Sequence, residues 1–522
     1  MVKVRNAVIL AAGAGTRFIP LSLEQPKGLF EINGEKLIDR QIEQLQEAGI
    51  KDITVVLGYK KEMFYYLKEK YGVNFIVNPL FNVKNNIESL RLARPVLGDS
   101  YVCSCDDYFV TNPFCSEEEH SFYAGHKVGY KTNEVYVDVD ESGRIIKMEK
   151  NRISGRIVLG HSFWTAEFCK RFFELADANA GSGKYDKAYW EWLVQDNLEL
   201  LPPFYYKEYP LGLIHEFDYF EELREFDKTY ITNTNSKIFS NIKSVFNCGD
   251  EDIVAFRCIK EGLTNTSFIF RIRGNDYIYR HPGDGTEQII DRSHERTSLE
   301  HAKALGIDPT YIAMDVEEGW KISRYVELFR EPDYASFEDS RKVVAVLRRL
   351  HSSGVEVSYG LRPWEDACRI EGLLKEKDAA CFTAYEPLKQ KVGELYAKTV
   401  SDGVQRCFCH GDTYKHNWII KPDGEVILID WEYSGMSDPG IDVGYYIVDA
   451  MYDLHMAKAF IHEYLQDTWT PGLEFHYLAY TAVIAYYWFV WAMYRESCGA
   501  DMGESLGNWR DMAVRYSSVS GF

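Results

Sequence analysis

The run ILAAGAGTRFIPLSLEQPK, residues 9–27, constrains the fold more than any other stretch of the chain. An apolar β-type run, Ala7 to Leu10, breaks into a turn with glycines at 13 and 15. Backbone N–H groups in such a turn can approach phosphate oxygens closely, because no Cβ stands in the way. A dinucleotide-binding turn also needs a third glycine for tight helix packing. Position 18 here is Phe18. Two cations stand in its place: Arg17, which can grip a phosphate bidentately, and Lys27, a point charge after Pro26. A triphosphate carries more charge than the pyrophosphate of a dinucleotide, so the loop suits a nucleoside triphosphate. A simple turn would also explain the two glycines. The combination with TRF-x-P and PKGL is the specific signal.

Around this loop the chain alternates between periods. Helical spacing covers Leu37 to Ala48, Glu62 to Tyr71 and Asn86 to Ala93. Strand-like runs cover Asp52 to Leu57, Asn74 to Val77 and Tyr101 to Cys105, the last ending in Asp106–Asp107. Strands alternating with helices predict βαβ units and an open α/β sheet. Ligands of such sheets sit beyond the carboxyl ends of the strands, where both the glycine turn and Asp106–Asp107 fall. The polar stretch KTYITNTNSK (228–237) reads as a domain boundary. Beyond it the order changes: strands from Ala255 to Tyr279, a helix from Asp291 to Leu305, then mainly helix.

With 522 residues the chain is too long for one ordinary domain. A formal net charge of -20 argues against a nucleic-acid partner, which needs clustered Lys and Arg. The eleven cysteines are scattered, with no C-x-x-C pair to suggest zinc, and free thiols in a reducing cytoplasm are expected. The first residues lead straight into a strand-like run, so no signal peptide is expected. FHYLAYTAVIAYYWFVWAMY (475–494) has the length of a membrane span, but it carries His476 and five tyrosines. A buried helix in a large domain, without stable membrane insertion, is the expectation.

The loop is joined by KNNIESL (84–90), CDDYF (105–109), NEVYV (133–137), GHSFW (160–164), YDKAYWEWLVQDN (185–197) and IHEFDYFEEL (214–223). Together these resemble the signature of the sugar-nucleotide and phosphocholine nucleotidyltransferases, and within that group the bacterial CTP:phosphocholine cytidylyltransferases. The resemblance covers residues 1–228 and implies a Rossmann-like domain there. It implies that Ala12, Gly13, Gly15, Thr16, Arg17, Lys27, Asn86 and Ser89 bind CTP, with Arg17 and Lys27 also serving catalysis. Mg²⁺ would be held by Asp106 and Asp218, with Asp107 as an alternative to Asp106. The competing reading of Asp218 is a helix cap before YFEEL. A trimethylammonium group cannot donate a hydrogen bond, so phosphocholine has to be held by ring faces and a carboxylate. Tyr136, Tyr189 and Glu216 are implied for this, followed by Trp164 and Trp190. Core packing is the competing reading for each of these aromatics.

The second half contains CHGDTYKHNWII (409–420) and VILIDWEY (426–433). The order H-x-D-x-x-x-x-N, strand, Asp matches the catalytic loop and metal Asp of kinase-like phosphotransferases. HGD and DWEY in place of HRD and DFG resemble choline kinases and aminoglycoside phosphotransferases. The resemblance implies a bilobal protein-kinase-like α+β domain over 241–522, after a linker at 229–240, with an N-lobe over 241–327 and a C-lobe over 328–522. Asp412 would accept the substrate hydroxyl proton, and Asn417 and Asp430 would hold Mg²⁺ on ATP. In GLTNTSFIFRI (262–272), Thr264, Asn265 and Thr266 would cover the phosphates. Arg280 stands where protein kinases carry lysine, oriented by Glu295 or alternatively Glu300. Trp488 and Trp491, one helical turn apart, with Trp431, Glu432 and Tyr433, could form a quaternary-ammonium cage. His351, Asp438 and Asp442 read as structural.

A bifunctional enzyme is therefore expected: choline and ATP give phosphocholine, and phosphocholine and CTP give CDP-choline. The rivals are the same chemistries on ethanolamine, another amino alcohol or a sugar; a nucleotide sensor with one degenerate half; and a membrane-bound transferase.

Overall fold

The computed structural model describes residues 1–259, 266–283, 291–377 and 382–519. Their contacts divide into two compact units: Met1–Cys258 with Phe270–Arg273, and Ile259–Ile269 with Gly274–Phe522.

The first unit is built on a nine-stranded sheet. Its central strand, Asn6–Ala11, lies between Ile53–Leu57 and Ser100–Ser104, parallel to both. All three are near-continuous apolar runs, as strands covered on both faces must be. Register then positions the site. Leu10 sits opposite Ser104, so the glycine loop and Asp106 leave the sheet at the same edge. The helices Leu37–Glu47 and Asn86–Ala93 and the strand Asn74–Val77 fall where the periodicity predicts them. A short antiparallel pair, Asp107–Phe109 with Ile214–Glu216, places Asp107 opposite Glu216. That pairing carries Asp218 back to the glycine loop across a long sequence separation.

The stretch expected as a linker, 229–240, is not a bare tether. It contains the helix Thr229–Thr232 and the start of the helix Lys237–Phe246. Ile238, Phe239 and Ile242 are buried. The Ile238 N–H donates to Glu24, and the Arg224 guanidinium collects the carbonyls of Asp250 and Ile253. These bonds and this apolar face tie residues up to Cys258 into the first unit, beyond the boundary at 228.

In the second unit, strands Asn275–His281, Lys321–Arg324 and Tyr311–Met314 neighbour one another in that order. The helix Arg292–Ala304 follows, capped by the Asp291 carboxylate. The helical remainder packs around Pro471–Ser497, which is contacted by Gly440–Asp449, Pro363–Lys377, Glu386–Ser401 and Ser505–Ser517. Those neighbours explain why residues 475–494 are so apolar. His476, fully buried there, is bonded to Asp402 and Asp438. Among the described residues, no helix is long and apolar enough to cross a membrane.

Candidate active sites

In the first unit, Gly15 takes a left-handed conformation (φ 61°). A Cβ there would meet the Lys27 side chain at 2.9 Å, so this glycine is required by fold and by neighbour alike. A Cβ at Gly13 would meet nothing, which fits a position kept open rather than packed. Ala12 is buried, its carbonyl bonded to Tyr59 N–H, and Thr16 is exposed at the start of a short 3-10 turn. Lys27 is nearly buried. Its Nζ donates to Asp106 Oδ2 (3.0 Å) and to the Phe217 carbonyl (2.8 Å), and lies 3.6 Å from Asp218 Oδ1. Arg17 donates to Asp218 Oδ2 at 2.7 Å and lies over the Tyr219 ring. Two cations and two carboxylates from four separate segments thus converge on one spot.

Asp218 is not a helix cap. The Asp218 and Tyr219 N–H groups are instead capped by Glu222, which frees the Asp218 carboxylate for Arg17 and Lys27. Asp218 Oδ1 is buried without a hydrogen bond among the described residues. Burial alone would lower the Lys27 pKa, but Asp106, Asp218 and Glu216 hold it above its ordinary value. Asp106 is held low by Lys27 and Ser104 against its burial. Asp107 differs from its neighbour. It is buried, neither oxygen has a hydrogen bond among the described residues, and burial with the Asp106 charge pushes its pKa well up. Glu216 is raised by burial and by Asp106 and Asp107. Of the pair 106/107, only Asp106 faces the cations.

The remaining first-unit candidates separate. Tyr189 is half exposed and close enough to Arg17 to act on its charge. Asn86 accepts from the Trp190 N–H, while Ser89 is turned inward to Asn78. Trp164 is core: its indole N–H donates to Ser162, and it packs on Phe168, Phe172 and Trp190. Trp190 is likewise buried, against Tyr123 and Trp164. Tyr136 is fully buried as well, its hydroxyl spent on the backbone of Thr132 and Tyr130. Both Trp164 and Tyr136 stand on strands whose inward faces fill the core, so neither ring is open to a ligand. Glu134, the second residue of NEVYV, joins the site although Tyr136 is the residue that this motif singles out. It sits near Asp218, and burial with that charge raises its pKa.

In the second unit, Arg280 forms a two-pronged pair with Glu295, at 2.6 and 2.9 Å. Glu295 also accepts from Arg292 (2.7 Å) and Lys321 (3.2 Å). Lys321 is cross-strand from Arg280, a register invisible in the sequence. Burial opposes it, but Lys321 and Arg280 hold Glu295 well below the usual carboxylate range. Glu300, the alternative, is exposed beside Arg296. Asp430, in the left-handed region (φ 70°) and 39% exposed, lies 3.7 Å from Lys321 and 3.9 Å from Arg280. Thr266 is exposed at its strand's start, and Thr264 and Asn265 lie outside the described residues.

The loop carrying Asp412 is held from behind. Asp442 accepts the His410 and Gly411 N–H groups at 2.8 and 2.7 Å and bonds His351 Nε2 at 2.9 Å. Gly411 is left-handed (φ 80°), and a Cβ there would strike Leu361 at 2.3 Å and the Tyr433 carbonyl at 2.5 Å. Asn417 Nδ2 donates to Asp412 Oδ2 at 3.0 Å, which leaves its Oδ1 for another partner. Burial pushes the Asp412 pKa up to about 7, against hydrogen bonds from Tyr445 and Asn417.

Two members of the expected cage are elsewhere. Trp431 is fully buried, its N–H on the Leu428 carbonyl and its ring stacked on Phe408. Glu432 lies 3.7 Å from Arg280 and 3.6 Å from Arg292, so it serves the cationic cluster. Residues 430–432 follow a strand end, where successive side chains diverge, and sequence adjacency does not tell them apart. Trp488 and Trp491 do meet, with ring centroids 5.2 Å apart, and Trp509 joins them at 5.5 Å from Trp488. Tyr445 links this cluster to the loop, bonded to Asp412 and 5.1 Å from Trp488. Tyr433 and Tyr487 lie near Asp412 as well. Trp509, Arg292 and Lys321 escape a reading of the sequence, because no short motif contains them, and Tyr445 lies in SDPGIDVGYY (437–446), where only Asp438 and Asp442 stand out.

Fold and sites together define a nucleotidyltransferase unit followed by a kinase-like phosphotransferase unit. The MobA-like NTP transferase domain pattern matches residues 7–130, and the phosphotransferase enzyme family pattern matches 256–475. A choline-phosphate cytidylyltransferase of Streptococcus pneumoniae is 36% identical over 223 residues, 43% of this chain and 97% of that protein. A 2-aminoethylphosphonate cytidylyltransferase of Lancefieldella rimae is 34% identical over 236 residues, 43% of this chain and 93% of that one. The solved choline kinase LicA of Streptococcus pneumoniae is 26% identical and covers 54% of this chain and 97% of its own, with a TM-score of 0.46. In its N-terminal part the chain belongs to the choline-phosphate cytidylyltransferase family, and it carries a choline-kinase-like phosphotransferase domain after it.

Proposed function

We propose that the chain is a bifunctional transferase. The second unit moves the γ-phosphoryl group of ATP to choline, and the first moves CMP from CTP to phosphocholine, releasing pyrophosphate. The observation that carries this reading is a run of rings that begins at Tyr445, bonded to Asp412, and continues through Trp488 to Trp491 and Trp509. A methylated ammonium offers no N–H to a carboxylate and is attracted by ring faces. The order of chemistry supports it too, since the product of one half is the acceptor of the other.

In the kinase unit, Asp412 takes the choline hydroxyl proton as the oxygen attacks phosphorus. Arg280 and Lys321, held by Glu295, lie ready for phosphate oxygens. In the cytidylyltransferase unit, Arg17 and Lys27 hold the triphosphate while a phosphocholine oxygen attacks the α-phosphorus. Mg²⁺ fits both sites: Asp106 and Asp218, with its unbonded Oδ1, would hold it in one, and Asp430 and the spare Asn417 oxygen in the other. The ion would supply charge there to neutralise phosphate oxygens that the protein cations only partly balance.

The test is mass spectrometry of products after the pure chain is incubated with choline, ATP, CTP and Mg²⁺. CDP-choline is expected. ADP without CDP-choline, or turnover only with ethanolamine or 2-aminoethylphosphonate, refutes the assignment of substrate. Trp488→Ala is expected to raise KM for choline about twofold to thirtyfold, the range that about 0.5–2 kcal/mol of cation–π attraction implies. A coupled ADP assay should show kcat changing less than KM. Trp431→Phe, a core change, should lower Tm and leave that KM alone.

A further inference from the structure

Cys407 and Cys409 form the ends of the strand Cys407–Cys409. Side chains two residues apart share one face of a strand, so the C-x-C spacing brings the two Sγ atoms to 3.7 Å. Both are free thiols. His351, the last residue of the helix Phe337–His351, reaches the same spot. The two sulfurs and a ring nitrogen of His351 all lie within 4.8 Å of one another. Two thiolates on one tetrahedral zinc, each about 2.3 Å from the ion, stand about 3.8 Å apart. The observed sulfur spacing matches that geometry without rearrangement of the strand.

The surroundings also fit. A metal-binding imidazole is usually backed by a carboxylate that fixes its tautomer and raises its basicity. Asp442 does this for His351 at Nε2, 2.9 Å away. Nδ1 shares a hydrogen with the Tyr464 hydroxyl at 2.8 Å, a neutral bond that a metal could replace. His351 and Tyr464 line a cleft of about 610 Å³ with Arg341, Arg348, Ser352 and Tyr477, which offers a way in.

We propose that Cys407, Cys409 and His351 bind a thiophilic divalent ion of the zinc class, with the Tyr464 hydroxyl or a water as fourth ligand. Both S–H bonds break, two metal–sulfur bonds form, and two protons leave to solvent; no electron is transferred. None of the three residues belongs to the proposed nucleotide or choline machinery. The site is a clamp on it. Cys409 directly precedes His410, and Asp442 bonds His351 as well as the His410 and Gly411 N–H groups. An ion here would pin the strand that leads to Asp412 onto the helix ending at His351.

The test uses the full chain, reduced and stripped with a chelator, then titrated with Co²⁺. One equivalent should produce a thiolate-to-cobalt charge-transfer band with the visible bands of tetrahedral cobalt, and Zn²⁺ should bleach both. Cys407→Ser, a half-exposed position, is expected to weaken this binding more than about tenfold. An identical titration for the variant would overturn the proposal, since it would place the cobalt on other cysteines. A second measurement does not depend on the variant folding: alkylation of Cys407 in the wild-type chain, read by peptide mass, should slow with Zn²⁺ present. Equal alkylation with and without Zn²⁺, or a Cys407–Cys409 disulfide under reductant, would also overturn it.

Discussion

Asp412→Ala is expected to lower kcat for phosphoryl transfer to choline by about 10³, within the 10²–10⁴ that a positioned general base supplies. CMP transfer from CTP to added phosphocholine should stay at the wild-type rate. The split matters, because loss of both activities would mean a folding defect rather than loss of a base. Asp412 is oriented by Asn417 and Tyr445, and its loop is fixed by Asp442, so the alanine leaves the loop in place. The pH dependence follows from the same group. Burial raises the Asp412 pKa to about 7, so without nucleotide the base is half protonated near neutrality. The kinase rate at low substrate should therefore climb as pH rises from 5 to 8, and it should flatten in Asp412→Asn at a low level. The sign for stability is opposite. A carboxyl whose pKa is higher folded than unfolded binds an extra proton on folding, and its stabilisation is lost as pH rises through the folded value. Asp412→Asn should gain stability over wild type between pH 5 and 8, on the order of 1 kcal/mol for a half-buried group. Thermal melts at the two pH values check this, and a gain at pH 5 equal to that at pH 8 would contradict it.

Lys27→Met is expected to cut kcat for CMP transfer by about 10²–10³, the cost of deleting one preorganised group that meets developing phosphate charge. The kinase activity should be spared. A second effect accompanies the first. Lys27 is the cation bonded to Asp106 and close to Asp218, in a site that also holds Asp107, Glu216 and Glu134. Without it Asp106 loses the charge that holds its pKa low. Breaking a buried pair by removing one partner typically costs about 3–5 kcal/mol, and some of that is recovered here by protonation of the carboxylates. Tm should therefore fall for Lys27→Met more at pH 8 than at pH 5. Single-turnover assays with CTP and phosphocholine separate the chemical loss from the thermal one. An unchanged rate would remove Lys27 from the mechanism.

The motifs and their local elements are legible in the amino-acid sequence alone. The glycine loop with Arg17 and Lys27, the acid at 106, the HGD loop and Asp430 are contiguous signals, and each depends on residues near in sequence. The same holds for the strands and helices of the first unit, whose periods of two and near four are set by which faces are buried. Between Glu295 and Glu300 the sequence leaves the choice open, and the contact of Arg280 with Glu295 is tertiary.

What a side chain faces is less legible. Trp164, Tyr136 and Trp431 read as ligand-binding aromatics and are core, since an aromatic ring is equally suited to either setting. Asp106 and Asp107 are chemically identical neighbours, yet Asp106, in the turn between two strands, meets Lys27, while Asp107, the first residue of the next strand, is buried opposite Glu216. Glu432 and Trp431 differ from Asp430 because the chain leaves its strand there and Asp430 is left-handed. The cysteines at 407 and 409 meet His351 only in the tertiary structure, because it comes from a helix end far away in the chain.

Chemistry and fold class are thus inherent in the residues and their spacing: two loops for phosphate, two sets of acids, two periodic patterns. Which of those residues face one another is set by sheet register, by the Asp107–Glu216 pairing that returns Asp218 to Lys27, and by the helices that bring Trp509 to Trp488. Local sequence encodes local geometry because neighbouring residues share a backbone. Distant pairs come together only when burial of many apolar side chains repays the entropy of closing the long loops between them.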